Sequence, residues 1–384
     1  MFFLYHKKND STLTMRIVCA IVFIVFSYTY LYYFQMDMLA VAQHIWSGGH
    51  THYNRLIGAV LITIVLQLVQ YGVYLVTKLH KRSHALTYIP SFLFLMVLTD
   101  ISPDIGKDTG TSCWWWLLPS LLLIWGFAVW AAKQFEPYEP EMNHRGLFSR
   151  LYWMNIVQIL VMFFIVALVC SGHDTFRYRM RVEDYLINND YQGALSIGKL
   201  SQKTDSSLTM LRIYALSRQG QLGENLFDYP LTGGSMSLLP NGVSVKCMMY
   251  PTDSIYKYFG AKPKESLAPM TYLKLMEKRK IVSRQLYDYI LCGYLLDRNI
   301  DAFAKNVGKY YKLDVKLPKY YREALVLYTH LRANPVIVFH DNIMDADFQD
   351  MQDIAKKTSD KLLRKEQVKE TYSDTYWYYY MYNK

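Results

Sequence analysis

No CxxC, HExxH or GxSxG pattern and no phosphate-cradling glycine-rich loop occurs in this sequence, so the short signatures of dithiol centres, zinc peptidases, serine hydrolases and P-loop enzymes are all missing. Cysteine is scarce. Of the five, Cys19, Cys113 and Cys170 fall in or beside apolar runs, and Cys247 with Cys292 is the one pair open to a disulfide in an oxidising compartment. Charge is missing from the interior of every long apolar run, which leaves ion- or proton-coupled transport without an evident carrier. We therefore expect neither a cofactor nor a metal centre, and no motif names a catalytic residue.

What is present is divided between two solvents. The 384 residues are 52% apolar and 19% charged with a mean hydropathy near zero, an average that suits neither half. Up to Gly172 there are 11 Lys/Arg and 8 Asp/Glu, confined to short stretches, whereas the remainder carries 31 and 24, spread throughout. A transmembrane domain over 1–172 and a soluble domain over 173–384, large enough to bury its own core, follow from that contrast.

A bilayer core of roughly 30 Å takes about 20 apolar helical residues. Four runs qualify, at 15–34, 56–77, 113–132 and 151–172, and their only charge is Arg16, near an end. Arg55, Lys78, Lys133 and Arg150 flank them, and Trp114, Trp115, Trp116, Tyr152 and Trp153 stand where interfacial aromatics belong. A fifth run, 85–101, includes Pro90, and at α-helical rise its apolar part covers roughly 22 Å. Lys78, Lys81 and Arg82 before it and Asp100 after it suit ends at opposite interfaces, so we expect a five-helix transmembrane bundle.

With the N-terminus inside, the inner segments carry Lys7, Lys8, Arg16, Lys78, Lys81, Arg82, Lys133, Arg145 and Arg150, against Arg55 and Lys107 in the outer loops. Five crossings then place the second domain outside the cytoplasm, in the periplasm of an inner-membrane protein. A cleaved signal peptide in place of the first run leaves that placement unchanged. The length of the run and Tyr28, Tyr30, Tyr32 and Tyr33 within it argue for a span. Gln67, Gln70, Asn155 and Gln158 lie deepest in the spans and are read as interhelical hydrogen-bonding groups.

Beyond residue 172 the period becomes that of amphipathic helices joined by polar turns. A hairpin over 284–297 and 300–312, a helix from Pro318 to about Arg332, and three successive helices at 176–189, 191–202 and 206–220 are predicted. Aromatic residues and Ala at the contacts read as an α-solenoid of degenerate tetratricopeptide-like type, interrupted by a proline- and glycine-rich insert over 229–269 with a short helix near 254–259.

The run Leu211-Arg-Ile-Tyr-Ala-Leu-Ser-Arg-Gln-Gly-Gln-Leu222, with Leu226-Phe-Asp-Tyr-Pro230, Leu238-Leu-Pro240, Pro318-Lys-Tyr-Tyr-Arg-Glu-Ala-Leu325, Thr375-Tyr-Trp-Tyr-Tyr-Tyr380 and Tyr88-Ile-Pro90, resembles an uncharacterised family of Bacteroidota membrane proteins. The resemblance implies several spans, a tetratricopeptide-like helical domain and a bacterial envelope setting, and brings no catalytic residues.

On the proposed topology one external surface gathers His44, His50 and His52 from the first loop, Asp100, Asp104 and Asp108 from the second, and His173 with Asp174 after the last span. Imidazoles and carboxylates there could act as acid and base or bind zinc. The plainer reading is that water-facing loops carry polar residues. The net charge of +10 is interspersed with acids, which argues against nucleic acid and for anionic lipid or envelope polymer. The tail over 372–382 holds Tyr376, Trp377, Tyr378, Tyr379 and Tyr380, too aromatic for a free terminus; it should dock on the last helices, the bilayer interface, or a partner or glycan. The leading expectation is a membrane-anchored scaffold binding an envelope protein or peptide. The alternative is an enzyme acting on a lipid-linked or glycan substrate through the external His/Asp loops.

Overall fold

The structure is a computed structural model that describes residues 2–101, 114–135, 150–169, 174–263, 265, 267–279, 283–314 and 316–382. Among these residues the secondary structure is entirely helical. The chain divides into two compact units, Met1–Asp174 and Thr175–Lys384.

The first unit contains α1 (Phe2–Thr29), α2 (Met36–Trp46), α3 (Arg55–Thr77), α4 (Ile89–Thr99), α5 (Trp114–Phe135) and α6 (Arg150–Val169). Four helical stretches, Leu13–Phe34, Arg55–Thr77, Trp114–Phe135 and Arg150–Val169, are long and apolar enough to cross a membrane, which marks a membrane protein. The first continues α1 through a π-helical turn, Tyr30–Phe34. Much of the loop expected after it is helical, because α2 turns Met38, Leu39, Val41 and Ala42 inward. Asn54 then starts α3 by accepting from the N–H groups of Leu56 and Ile57.

The 85–101 run takes a form that its composition conceals. A 3-10 helix, Lys81–Tyr88, leads straight into α4. Pro90 has no N–H for the carbonyl of Leu86, four residues back. That oxygen accepts instead from Ile89 N–H, in 3-10 fashion, and from Trp125 Nε1 on α5 at 2.9 Å. A 3-10 turn rises about 2.0 Å per residue against 1.5 Å in an α-helix, so the composite reaches roughly 30 Å.

All four long helices touch this segment. Ser91 Oγ donates to Leu66 O on α3 at 2.8 Å, and Gln70 Nε2 of α3 donates to Thr87 Oγ1 at 3.0 Å. Asn155 on α6 accepts from Ala85 N–H (2.9 Å) and donates to Lys81 O (3.0 Å). Phe23 of α1 packs on Tyr88 and Phe92, with ring centroids 5.0 and 5.1 Å apart. Tyr88, Phe92 and Leu95 are consequently buried, while most large side chains on the long helices face outward. Three of the four deep amides thus hydrogen-bond within the unit, Gln67 donating to Gln70 Oε1, and Gln158 lines an apolar groove between α4 and α6.

The second unit contains α7 (Asp174–Ile187), α8 (Tyr191–Ser196), α9 (Ser206–Arg218), α10 (Leu222–Asn225), α11 (Thr252–Tyr258), α12 (Pro269–Lys278), α13 (Arg284–Leu296), α14 (Ile300–Tyr310), α15 (Lys319–Leu331), α16 (Asn342–Lys357), α17 (Lys361–Tyr372) and α18 (Tyr376–Tyr382). Local chemistry sets the starts. Asp190, Asp205, Ser283, Asn299, Asp341 and Asp360 each accept from an N–H in the first turn that follows, a contribution of about 1 kcal/mol apiece. One core runs from Val182 to Trp377.

The helix expected over 191–202 stops at Ser196. Gly198 turns left-handed, with φ 61°, and the buried Arg212 donates to the carbonyls of Ile197 and Gly198 at 3.2 Å. The insert over 229–269 is ordered by side chains. Glu183 of α7, wholly buried, accepts from three successive N–H groups, Met248, Met249 and Tyr250.

Candidate functional site

The C-terminal aromatics enter the core of their own unit. Tyr376 N–H donates to Glu323 Oε2 (2.7 Å) and Trp377 Nε1 to Glu323 O (2.8 Å), so one residue of α15 holds the start of α18 by side chain and main chain. Phe348 packs on Trp377, Phe227 packs on Tyr376 and Tyr379, and Tyr379 donates to Leu296 O at 2.8 Å. Lys319 Nζ ties Asp374 down at 3.1 Å and lies 4.0 Å from Glu323. Burial pushes the Glu323 carboxyl up to about 8, against the pull of the Tyr376 N–H and of Lys319.

Docking α18 in this way closes one side of a cleft of about 550 Å³. Its far wall is α17, which buries only Val368 and turns Lys365, Glu366, Lys369 and Glu370 toward the opening. The near wall is the turn from Phe227 to Leu231, and Tyr378 and Tyr379 come from α18. Asp228 in that turn accepts from the Tyr320 hydroxyl. Burial, then the neighbouring Asp228, keeps that phenol protonated far above its ordinary range.

A second hollow of about 520 Å³ adjoins the first, and Lys199 and Tyr229 line both. Its walls are amides: Gln192 from α8, Gln219 and Gln221 from the turn after α9, and Asn225 from α10. The Tyr229 hydroxyl is already engaged with Leu195 O at 3.1 Å, which fixes the ring between the hollows. Lys199, Lys365 and Lys369 form no salt bridge among the described residues. Two like-charged pairs, Lys365 with Lys369 and Glu366 with Glu370, sit one helical turn apart, an arrangement that disfavours an isolated helix by a few tenths of a kcal/mol per pair.

The residues of the site expected from the membrane loops are described in part. His44 lies on α2, His50 and His52 on the link to α3, and Asp100 caps α4, where it accepts from Trp114 Nε1 at 2.7 Å. Asp104, Asp108 and His173 lie outside the described residues. No described group of three or more His, Cys, Asp or Glu could hold a metal ion. Cys247 and Cys292 are both free thiols, Cys292 facing the Tyr321 hydroxyl at 3.5 Å.

Of the residues lining the paired hollow, Tyr378 and Tyr379 belong to the aromatic tail that the sequence already offered for docking or partner binding, whereas its lysines, carboxylates and amides were not singled out, because each is an ordinary polar residue in the sequence. For those polar residues the signal was indirect. Gln219, Gln221, Asp228 and Tyr229 all lie within the strings that carry the family resemblance.

Residues 105–261 and 270–383 match the family of unknown function DUF6057. The chain belongs to that family. No curated protein and no solved structure matches it. The matched part of this DUF6057 chain takes in α5, α6 and nearly all of the second unit, hence both hollows, whereas α1 to α4 precede it.

Proposed function

We propose that this DUF6057 protein is a membrane-anchored binding module of the bacterial envelope that crosses the inner membrane five times and displays its second unit outside the cytoplasm. The observation that carries the binding reading is the paired hollow. Two adjoining concavities are lined mostly by polar side chains, and Lys199, Lys365 and Lys369 there form no salt bridge among the described residues. A scaffold role also suits the helix pairs α8–α9, α13–α14 and α16–α17, read as a degenerate tetratricopeptide-like solenoid.

A fifth crossing is supported by the depth of the composite 3-10/α4 segment. Its start lies level with Asn155 at the beginning of α6, and Asp100 at its end meets Trp114 at the beginning of α5.

Filling the hollow tests the binding role. Gln221→Trp combined with Lys369→Trp places two indoles in the openings, and we expect it to reproduce the phenotype of gene deletion while leaving the melting temperature of the purified protein within about 2 °C of wild type, as surface changes do. Full complementation by that variant would remove the paired hollow from the function.

A further inference from the structure

We infer that the paired hollow is a carbohydrate-binding site, taking a polysaccharide chain laid from Gln192 past Lys199 and Tyr229 to Lys369. The inference rests on the reading of the hollow as a ligand site and adds the class of ligand. Sites for drug-like ligands and for peptide side chains are mainly apolar, with a few polar groups that orient the ligand. Here the proportion is reversed. Gln192, Gln219, Gln221 and Asn225 surround one hollow, and of their amides only Asn225 and Gln221 bond each other, at 3.3 Å.

An amide presents donors and an acceptor side by side, and a hydroxyl is both donor and acceptor. A row of amides with donors and acceptors left over therefore matches a surface made of hydroxyl groups better than it matches apolar side chains. The second hollow supplies the other half of the match. Tyr378 and Tyr379, both only partly buried, bring ring surface to a cleft whose rim alternates Lys365, Glu366, Lys369 and Glu370. Ring faces carry the negative side of the aromatic quadrupole and accept the weakly positive C–H face of a sugar ring. With acids and bases interleaved, the rim has no single sign with which to select a polyanion or a polycation. Lys199, at the junction, provides one unpaired cation for an acidic substituent of the chain.

The test uses the full-length protein in nanodiscs, so that no sugar-headed detergent competes. Immobilised dextran, pullulan, chitohexaose and polygalacturonate serve as probes, with a random decapeptide library alongside. At least one polysaccharide is expected to bind, and Gln192→Ala with Gln221→Ala, both at exposed positions, should weaken it about tenfold through two lost hydrogen bonds. Gln349→Ala, on α16 away from the site, should leave binding unchanged. If no polysaccharide binds, or if the double variant binds as wild type, the carbohydrate assignment is overturned. Peptide binding that the double variant weakens would retain the ligand site and replace its ligand class. If the double variant changes neither polysaccharide nor peptide binding, the ligand-site reading fails as well.

Discussion

Glu323 concentrates three jobs in one residue. It accepts from the first N–H of α18, its own carbonyl holds the Trp377 indole, and it lies 4.0 Å from Lys319 while almost fully buried. Its carboxyl is raised from 4.5 to about 8, chiefly by burial, so between those values the folded protein keeps a proton that the unfolded chain releases. Stability from this group is complete below about 4.5 and declines as the pH rises toward 8. Burial raises Glu183 and Asp288 in the same direction. We therefore expect the melting temperature of the protein to fall between pH 5 and pH 8.5. Glu323→Gln, which keeps an acceptor for Tyr376 N–H without a charge, should make that fall shallower. An identical slope in wild type and variant would show that this carboxyl is ionised in the fold throughout.

Among the elements, the composite of 3-10 helix and α4 is the one most dependent on its neighbours. Pro90 deprives Leu86 O of its α-helical donor, and Trp125 Nε1 replaces it from another helix. Trp125→Phe should lower stability in nanodiscs by about 1 kcal/mol through that bond, within the range seen for interhelical hydrogen bonds in membranes. Pro90→Ala restores a donor to Leu86, so in the double variant the loss on changing Trp125 should shrink. A double-mutant cycle separates this coupling from the lost indole packing, and a coupling of zero would show that the Trp125 bond does not compensate for the proline. The same element shows where reading the sequence stops. The run at 85–101 is visible as apolar, and Pro90 as a break, but the donor on Trp125 lies 39 positions from Leu86 and leaves no local trace. The hairpin of α13 and α14 was legible because Ser283, Asn299 and the helical period are all local signals. α8 ended early because Arg212, on the next helix, holds the carbonyls beyond it.

For the whole molecule, the decisive quantity is the parity of crossings. A reporter fused after Lys384 and active only outside the cytoplasm should be active, and deleting 81–101 together with the link 78–80 should silence it by leaving four crossings. An active reporter in both would mean that the short segment does not cross. The change in charge density near Gly172 is legible in the sequence alone, because water and lipid select different residues over long stretches. The paired hollow could not be read there, since Lys199 and Lys369 stand 170 positions apart and line one cleft only in the folded unit, with Tyr378 and Tyr379 of α18 beside them. That docking has an optical and magnetic consequence. Trp377 is the single indole in the second unit, the other seven all lying before residue 175. In protein labelled with fluorotryptophan, one resonance of eight belongs to the docked tail, shifted by the ring of Phe348 beside it. That one line can be followed through pH titration, sugar addition or denaturant without attaching any probe.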